Sequence, residues 1–145
     1  MEITRDICQV GKKAPPFESE AVFEEAFLPI NLEDYLEKKY VILLFYPLDF
    51  TFVCPSELIA LDNRMEEFKS RNVEVVAVSI DSQFTHNAWR NTAINDGGIG
   101  PVKYTMVADT QHHVARSQYI QAYSLYRNFL YQAHVVLTFY YQDLE

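Results

Sequence analysis

The sequence predicts an α/β domain in which parallel strands alternate with helices, and three local patterns carry that expectation. Val41 to Tyr46 is a short, almost wholly apolar run stopped by Pro47, as expected of a strand buried on both faces. Val73 to Ile80 is a second run of the same kind. Between them Leu58, Leu61, Met65 and Phe68 recur at steps of three and four, interleaved with Glu66, Glu67 and Lys69, which is the stripe of an amphipathic helix. A strand, a helix and a strand in that order imply a right-handed parallel crossover.

The other elements follow from local chemistry. Gly11 to Phe17, with Pro15-Pro16, reads as an extended or turn segment, because proline fixes its own φ and restricts the residue before it. A helix is expected from about Ser82 to Ile94, capped by Asp81 or Ser82 and closing before Asn95-Asp96-Gly97-Gly98. Tyr104 to Ala108 is a third strand, followed by a short helix from about Thr110. From Gln118 the composition shifts: Gly, Pro and Lys disappear, and six of the ten tyrosines fall here. Leu125 to Tyr131 and His134 to Tyr141 read as strands, although the tight-turn residues of a hairpin are missing between them.

Composition narrows the function. The 145 residues are the length of one domain, so a single unit over 1–145 is expected, with 118–145 as its divergent part. Apolar residues at 49% and charged residues at 22% are those of a folding globular chain. The net charge is −8 and the Lys and Arg residues are scattered, so the electrostatics that drive binding to nucleic acid or an anionic membrane are missing. No stretch reaches the ~18 apolar residues of a membrane span and the N-terminus is polar, which gives a cytoplasmic location as the expectation. Two cysteines, Cys8 and Cys54, make neither a disulfide framework nor a structural zinc site. No metal or cofactor is expected. His112-His113 sit at adjacent positions with no other ligand cluster near in sequence, so they read as a solvated or capping pair.

The informative segment is Phe45-Tyr46-Pro47-Leu48-Asp49-Phe50-Thr51-Phe52-Val53-Cys54-Pro55-Ser56-Glu57-Leu58, where a buried strand hands over to a helix. A cysteine in a first helical turn meets unpaired N–H groups and the positive end of the helix dipole, both favouring the thiolate. Pro55 suits that turn because its missing N–H has no intrahelical partner to lose. Thr51 offers a hydroxyl that donates and accepts, suited to holding both oxygens of a peroxide, and Pro47 shields the turn from water. By itself a cysteine opening a helix is more often a small buried hydrophobe than a nucleophile; the surrounding string decides otherwise.

Pro47-x-x-x-Thr51-x-x-Cys54 resembles the active-site signature of the peroxiredoxins, and the flanking residues resemble the typical two-cysteine group. The resemblance extends through Val10-Gly11-Lys12-Lys13-Ala14-Pro15, Val78-Ser79-Ile80-Asp81-Ser82, His86-Asn87-Ala88-Trp89 and Val107-Ala108-Asp109, covering roughly residues 9–117. It implies a thioredoxin-like fold, a central mixed β-sheet flanked by helices. It also implies that Cys54 is the peroxidatic cysteine, that Thr51 and Pro47 shape its pocket, and that Glu57 helps orient an arginine network. Tyr126-Arg127-Asn128-Phe129-Leu130 resembles the strand that carries the family's thiolate-stabilising arginine, which makes Arg127 the candidate. Asp96-Gly97-Gly98-Ile99-Gly100 resembles the glycine-rich loop of the family, and a flexible turn after a helix is the plainer reading. His86 and Trp89 are expected to pack and to hydrogen-bond rather than react.

The implied activity is reduction of hydrogen peroxide and alkyl hydroperoxides through a sulfenic acid, with a thioredoxin-like protein or small thiol as reductant. The implied assembly is a homodimer or higher homo-oligomer. The resemblance implies a resolving cysteine in a second Val-Cys-Pro on a C-terminal arm, and no cysteine follows Cys54 in the 145 residues, so an external thiol is the expected resolving partner, Cys8 is the other thiol on offer, and a truncated, frameshifted or decayed copy is an alternative reading. A non-enzymatic holdase or interaction protein on the same scaffold is the rival function, motivated by the Tyr- and Phe-rich tail. A thioredoxin-type disulfide exchanger is disfavoured, because Thr51 stands where Cys-x-x-Cys needs its first thiol.

Overall fold

The computed structural model describes residues 13–51 and 55–118 and the backbone of Cys54 and of 134–138. Its elements in chain order are β1 (Glu18–Phe23), β2 (Ala26–Asn31), β3 (Tyr40–Phe45), α1 (Cys54–Asp62), α2 (Met65–Lys69), β4 (Val73–Ser79), α3 (Gln83–Arg90), β5 (Thr105–Ala108), α4 (His113–Ser117) and β6 (His134–Thr138). They form one mixed sheet in the order β2-β1-β5-β4-β3-β6. Strands β3, β4 and β5 are parallel, with Leu43 opposite Val76 and Val78 opposite Val107. β1 runs antiparallel to β5 and β2, and β6 antiparallel to β3.

The apolar runs of β3 and β4 are continuous because both sheet faces are covered. Leu43, Phe45, Val76, Val78 and Val107 point to one face, where Leu32 and the α4 residues Val114 and Ala115 complete the core. Leu44, Tyr46, Val75, Ala77 and Met106 point to the other, against Leu58 of α1, Met65 of α2 and Trp89 of α3. The period-two alternation of a strand thus divides one apolar string between two cores.

Several boundaries differ from the sequence expectation. The helix that opens at Cys54, as expected, does not run on unbroken to Phe68: it breaks at Asn63-Arg64, where Arg64 N–H bonds back three residues to the Leu61 carbonyl. The second helix stops at Arg90 rather than near Ile94, because Thr92 also closes onto a residue three back, Trp89, and Ala93 is extended. Ser82 is its cap, accepting from Thr85 N–H. The last described helix starts at His113, after Asp109 has accepted from the N–H groups of Val114 and Ala115. The β1–β2 hairpin was not foreseen at all. Its turn uses Glu24, at φ 53°, in place of the glycine or asparagine that would have announced it. Leu125 to Tyr131, with Arg127, and 139–141 lie outside the described residues. Among the described residues no helix is long and apolar enough to cross a membrane.

Candidate active site

The parallel strands β3, β4 and β5 all end at the same edge of the sheet, and the loop of Tyr46 to Thr51 leaves β3 there, ahead of α1. Cys54 is the first residue of α1, as its expected place in a first helical turn requires, and Glu57 lies in the same turn. Pro47 is half-buried in the connecting loop, and Thr51, also half-buried, donates its hydroxyl to the Leu48 carbonyl at 3.1 Å. With its proton so engaged, the Thr51 oxygen presents lone pairs. Arg127 lies outside the described residues.

What fixes the loop is a buried polar network. The Tyr46 hydroxyl donates to Asp49 Oδ1 at 2.7 Å, and His86 Nδ1 meets Asp49 Oδ2 at 2.7 Å. His86 Nε2 meets the Val107 carbonyl at 3.1 Å. The Asp49 N–H donates to Asp81 Oδ2 at 2.9 Å, and the Ser79 hydroxyl reaches the same oxygen at 2.7 Å. The loop that leads to Cys54 is therefore tied to the end of β4, to α3 and to β5. Trp89, fully buried, stacks beside the network with ring centroids 6.1 Å from Tyr46 and 5.8 Å from Phe50. Phe50 takes a left-handed φ of 54°, strain that the anchored Asp49 next to it helps to hold.

The donor and acceptor arithmetic at His86 is informative. Val107 offers only a carbonyl, so Nε2 carries a proton; Asp49 Oδ2 then shares a second proton with Nδ1. Burial raises the Asp49 carboxyl above its ordinary range, with the contacts to His86 acting against that shift. Burial and then the neighbouring Asp49 push the Tyr46 phenol well above its usual value, so it remains a donor. Asp49, Asp81 and His86 each offer a ligand atom within 4.8 Å of the others, a spacing compatible with a cation. Each of these residues is already engaged with hydrogen-bond partners inside the fold, so the cluster reads as a structural network.

The sequence reading placed His86 and Trp89 correctly as packing and hydrogen-bonding residues. It gave no role to Tyr46, Asp49 or Ser79. The available signal was Asp49 itself, a lone charge in an otherwise apolar string beside a buried strand, which needs a partner to be buried. His113 is a bridging residue, with Nε2 2.7 Å from the Glu18 carbonyl and Nδ1 3.3 Å from Asp109. The glycine-rich turn is pinned rather than loose: Trp89 Nε1 donates to the Gly97 carbonyl at 2.9 Å, and a side chain on Gly98 would collide with the Thr92 backbone.

Residues 10–140 match the model of the AhpC/TSA family. The chloroplastic 2-Cys peroxiredoxin BAS1 of Hordeum vulgare is 51% identical over 112 residues, which are 77% of this chain and 53% of that protein. Peroxiredoxin-2 of Macaca fascicularis is 50% identical over 107 residues, 74% of this chain and 54% of that one. The crystal structure of reduced Plasmodium vivax 2-Cys peroxiredoxin superposes with a TM-score of 0.76 at 39% identity, covering 90% of this chain and 72% of that chain. The chain spans about half the length of the curated relatives it matches.

Proposed function

The chain belongs to the AhpC/TSA family, and from that premise we propose that it is a thiol peroxidase acting on hydrogen peroxide and alkyl hydroperoxides through Cys54. The observation that carries the reading is Cys54 at the first position of α1, reached through the Pro47-x-x-x-Thr51 loop that the Asp49–His86 network ties down. First-turn N–H groups and the helix dipole favour the thiolate there. In the reaction the Cys54 sulfur attacks one peroxide oxygen, the S–O bond forms as O–O breaks, and the other oxygen leaves with a proton as water or alcohol. Cys54 is oxidised to a sulfenic acid and the peroxide is reduced.

Thr51 would accept from the peroxide, Pro47 would keep water from the turn, and Glu57 would orient Arg127 toward the developing charge. A thiol then attacks the sulfenic acid, releasing water and leaving a mixed disulfide that a second thiol reduces. A thioredoxin-like protein or a small thiol is the proposed reductant. Exposed Phe27, Leu48, Phe50, Phe84 and Ile94 favour self-association, so a homodimer or larger homo-oligomer is part of the proposal.

Stopped-flow mixing of the reduced protein with hydrogen peroxide tests the reading. One equivalent should be consumed per Cys54 in a fast burst, and Cys54→Ser should abolish it while leaving the circular dichroism unchanged. Retention of more than ~10% of the parent rate in Cys54→Ser would exclude Cys54 as the nucleophile.

A further inference from the structure

We propose that Arg90 and Tyr104 are positioning residues for Cys54, forming a staple that runs from the end of α3 through residues 102–104 onto the far half of α1. Arg90 closes α3 and is 3% exposed, and its guanidinium forks across Lys103: Nη1 donates to the Tyr104 carbonyl at 3.0 Å and Nη2 to the Val102 carbonyl at 2.8 Å. The clamped segment then grips α1 at two residues one turn apart. The buried Tyr104 hydroxyl donates to the Leu58 carbonyl at 3.1 Å, and the Lys103 N–H donates to Asp62 Oδ1 at 2.6 Å. Lys103 Nζ adds a longer contact of 3.9 Å to Asp62 Oδ2.

Burying a guanidinium is costly, and an apolar side chain would fill the same core space without that cost. Arg90 Nε has no partner among the described residues, so the group is retained with one nitrogen unpartnered and the other two donating to a single short segment. A rigid two-pronged donor fixes both the position and the rotation of residues 102–104, which a single bond would not. Through Tyr104 and Asp62 that rigidity reaches α1, the helix whose opening turn presents its N–H groups at Cys54. Displacement of a reacting group by a fraction of an ångström lowers rates by about tenfold or more. The staple thus complements the Asp49–His86 network: one holds the loop before Cys54, the other the helix after it.

This inference rests on the proposed thiol chemistry of Cys54, and its test separates the two. In a Cys8→Ser background, Cys54 is alkylated with iodoacetamide across pH and scored by intact mass, while hydrogen peroxide consumption is followed by stopped flow. Tyr104→Phe keeps the ring and deletes the hydroxyl. It is expected to move the midpoint of the alkylation profile upward and to slow the peroxide burst by ~10-fold. Arg90→Met should do the same, Arg90→Lys should recover part of the loss, and Tyr104→Phe combined with Arg90→Met should be no worse than the more severe single variant. A Tyr104→Phe protein whose urea midpoint falls while the alkylation profile and burst rate stay within twofold of the parent would overturn the positioning role. A parent that alkylates at Cys54 but consumes no peroxide, with Tyr104→Phe still shifting the profile, would remove the peroxidase reading and keep the staple. Should Arg90→Met fail to fold, Tyr104→Phe decides alone.

Discussion

Replacing His86 with leucine removes a fully buried imidazole and leaves two acceptors facing an apolar side chain. Asp49 keeps the Tyr46 hydroxyl and loses its 2.7 Å partner; the Val107 carbonyl loses a donor at 3.1 Å. Stranding a buried charge costs ~3–5 kcal/mol. The carboxyl can escape by taking up a proton, which limits that part of the loss. An unsatisfied carbonyl adds ~1 kcal/mol, and leucine fills much of the ring volume, so the expected loss at pH 7 is about 4–5 kcal/mol. The sign of its pH dependence follows. Burial already raises Asp49 and His86 opposes the shift, so the variant raises it further. A carboxyl raised in the folded state contributes stability below its unfolded pKa of ~3.9 and loses it as pH rises through the folded value. The penalty should therefore be smaller at pH 5 than at pH 7. Urea unfolding followed by tryptophan fluorescence, at both pH values and with a check that the m-value is unchanged, measures it. A loss below ~1 kcal/mol, or a penalty larger at pH 5, would refute the idea that this pair is buried and mutually satisfied.

Gly98→Ala should cost at least ~2 kcal/mol in the same assay, because its Cβ would overlap the Thr92 carbonyl, whereas Gly97→Ala meets open space and should cost only the ~1–2 kcal/mol of a left-handed residue; equal losses would contradict the packing at Gly98. Ser82→Ala removes the α3 cap and should lower stability by ~1 kcal/mol, seen as a shifted urea midpoint. Arg127→Ala should slow the peroxide burst by ~10² if the arginine serves the thiolate, and an unchanged rate would take residue 127 out of the reaction.

The parts of this fold legible in the sequence were those written in a single period. Val41 to Tyr46 and Val73 to Ile80 read as buried strands because they are almost wholly apolar, with Glu74 and Ser79 the exceptions in the second, and they pair in parallel as expected. Cys54 read as a helix opener because Pro55 beside it belongs in a first turn. The hairpin at Glu18 to Asn31 was not legible, since Glu24 and Glu25 carry no turn signature and Pro29 argues against a central strand. Pro29 is tolerated because β2 is the edge of the sheet. The polar network escaped for a different reason: Tyr46, Asp49, Asp81 and His86 are drawn together across up to 40 residues, and pairings at that range leave no periodic trace. Arg90 was hidden likewise, because a helical arginine reads as a solvated end until its carbonyl partners are known.

The sheet order also sets a timetable for synthesis. β1 completes its local pairing with β2 as soon as residue 31 is made, but its other neighbour is β5, where Ala21 meets Val107. A lone two-stranded hairpin is marginal in water, so this one gains its second partner only after residues 105–108 leave the ribosome. Contacts that span most of a chain carry a large loop-closure cost and slow the search for the native state. During that interval the hairpin's apolar residues Ala21, Val22 and Ile30 lack the shelter they later find, and such transiently exposed apolar surface is where a nascent chain is most open to misassociation.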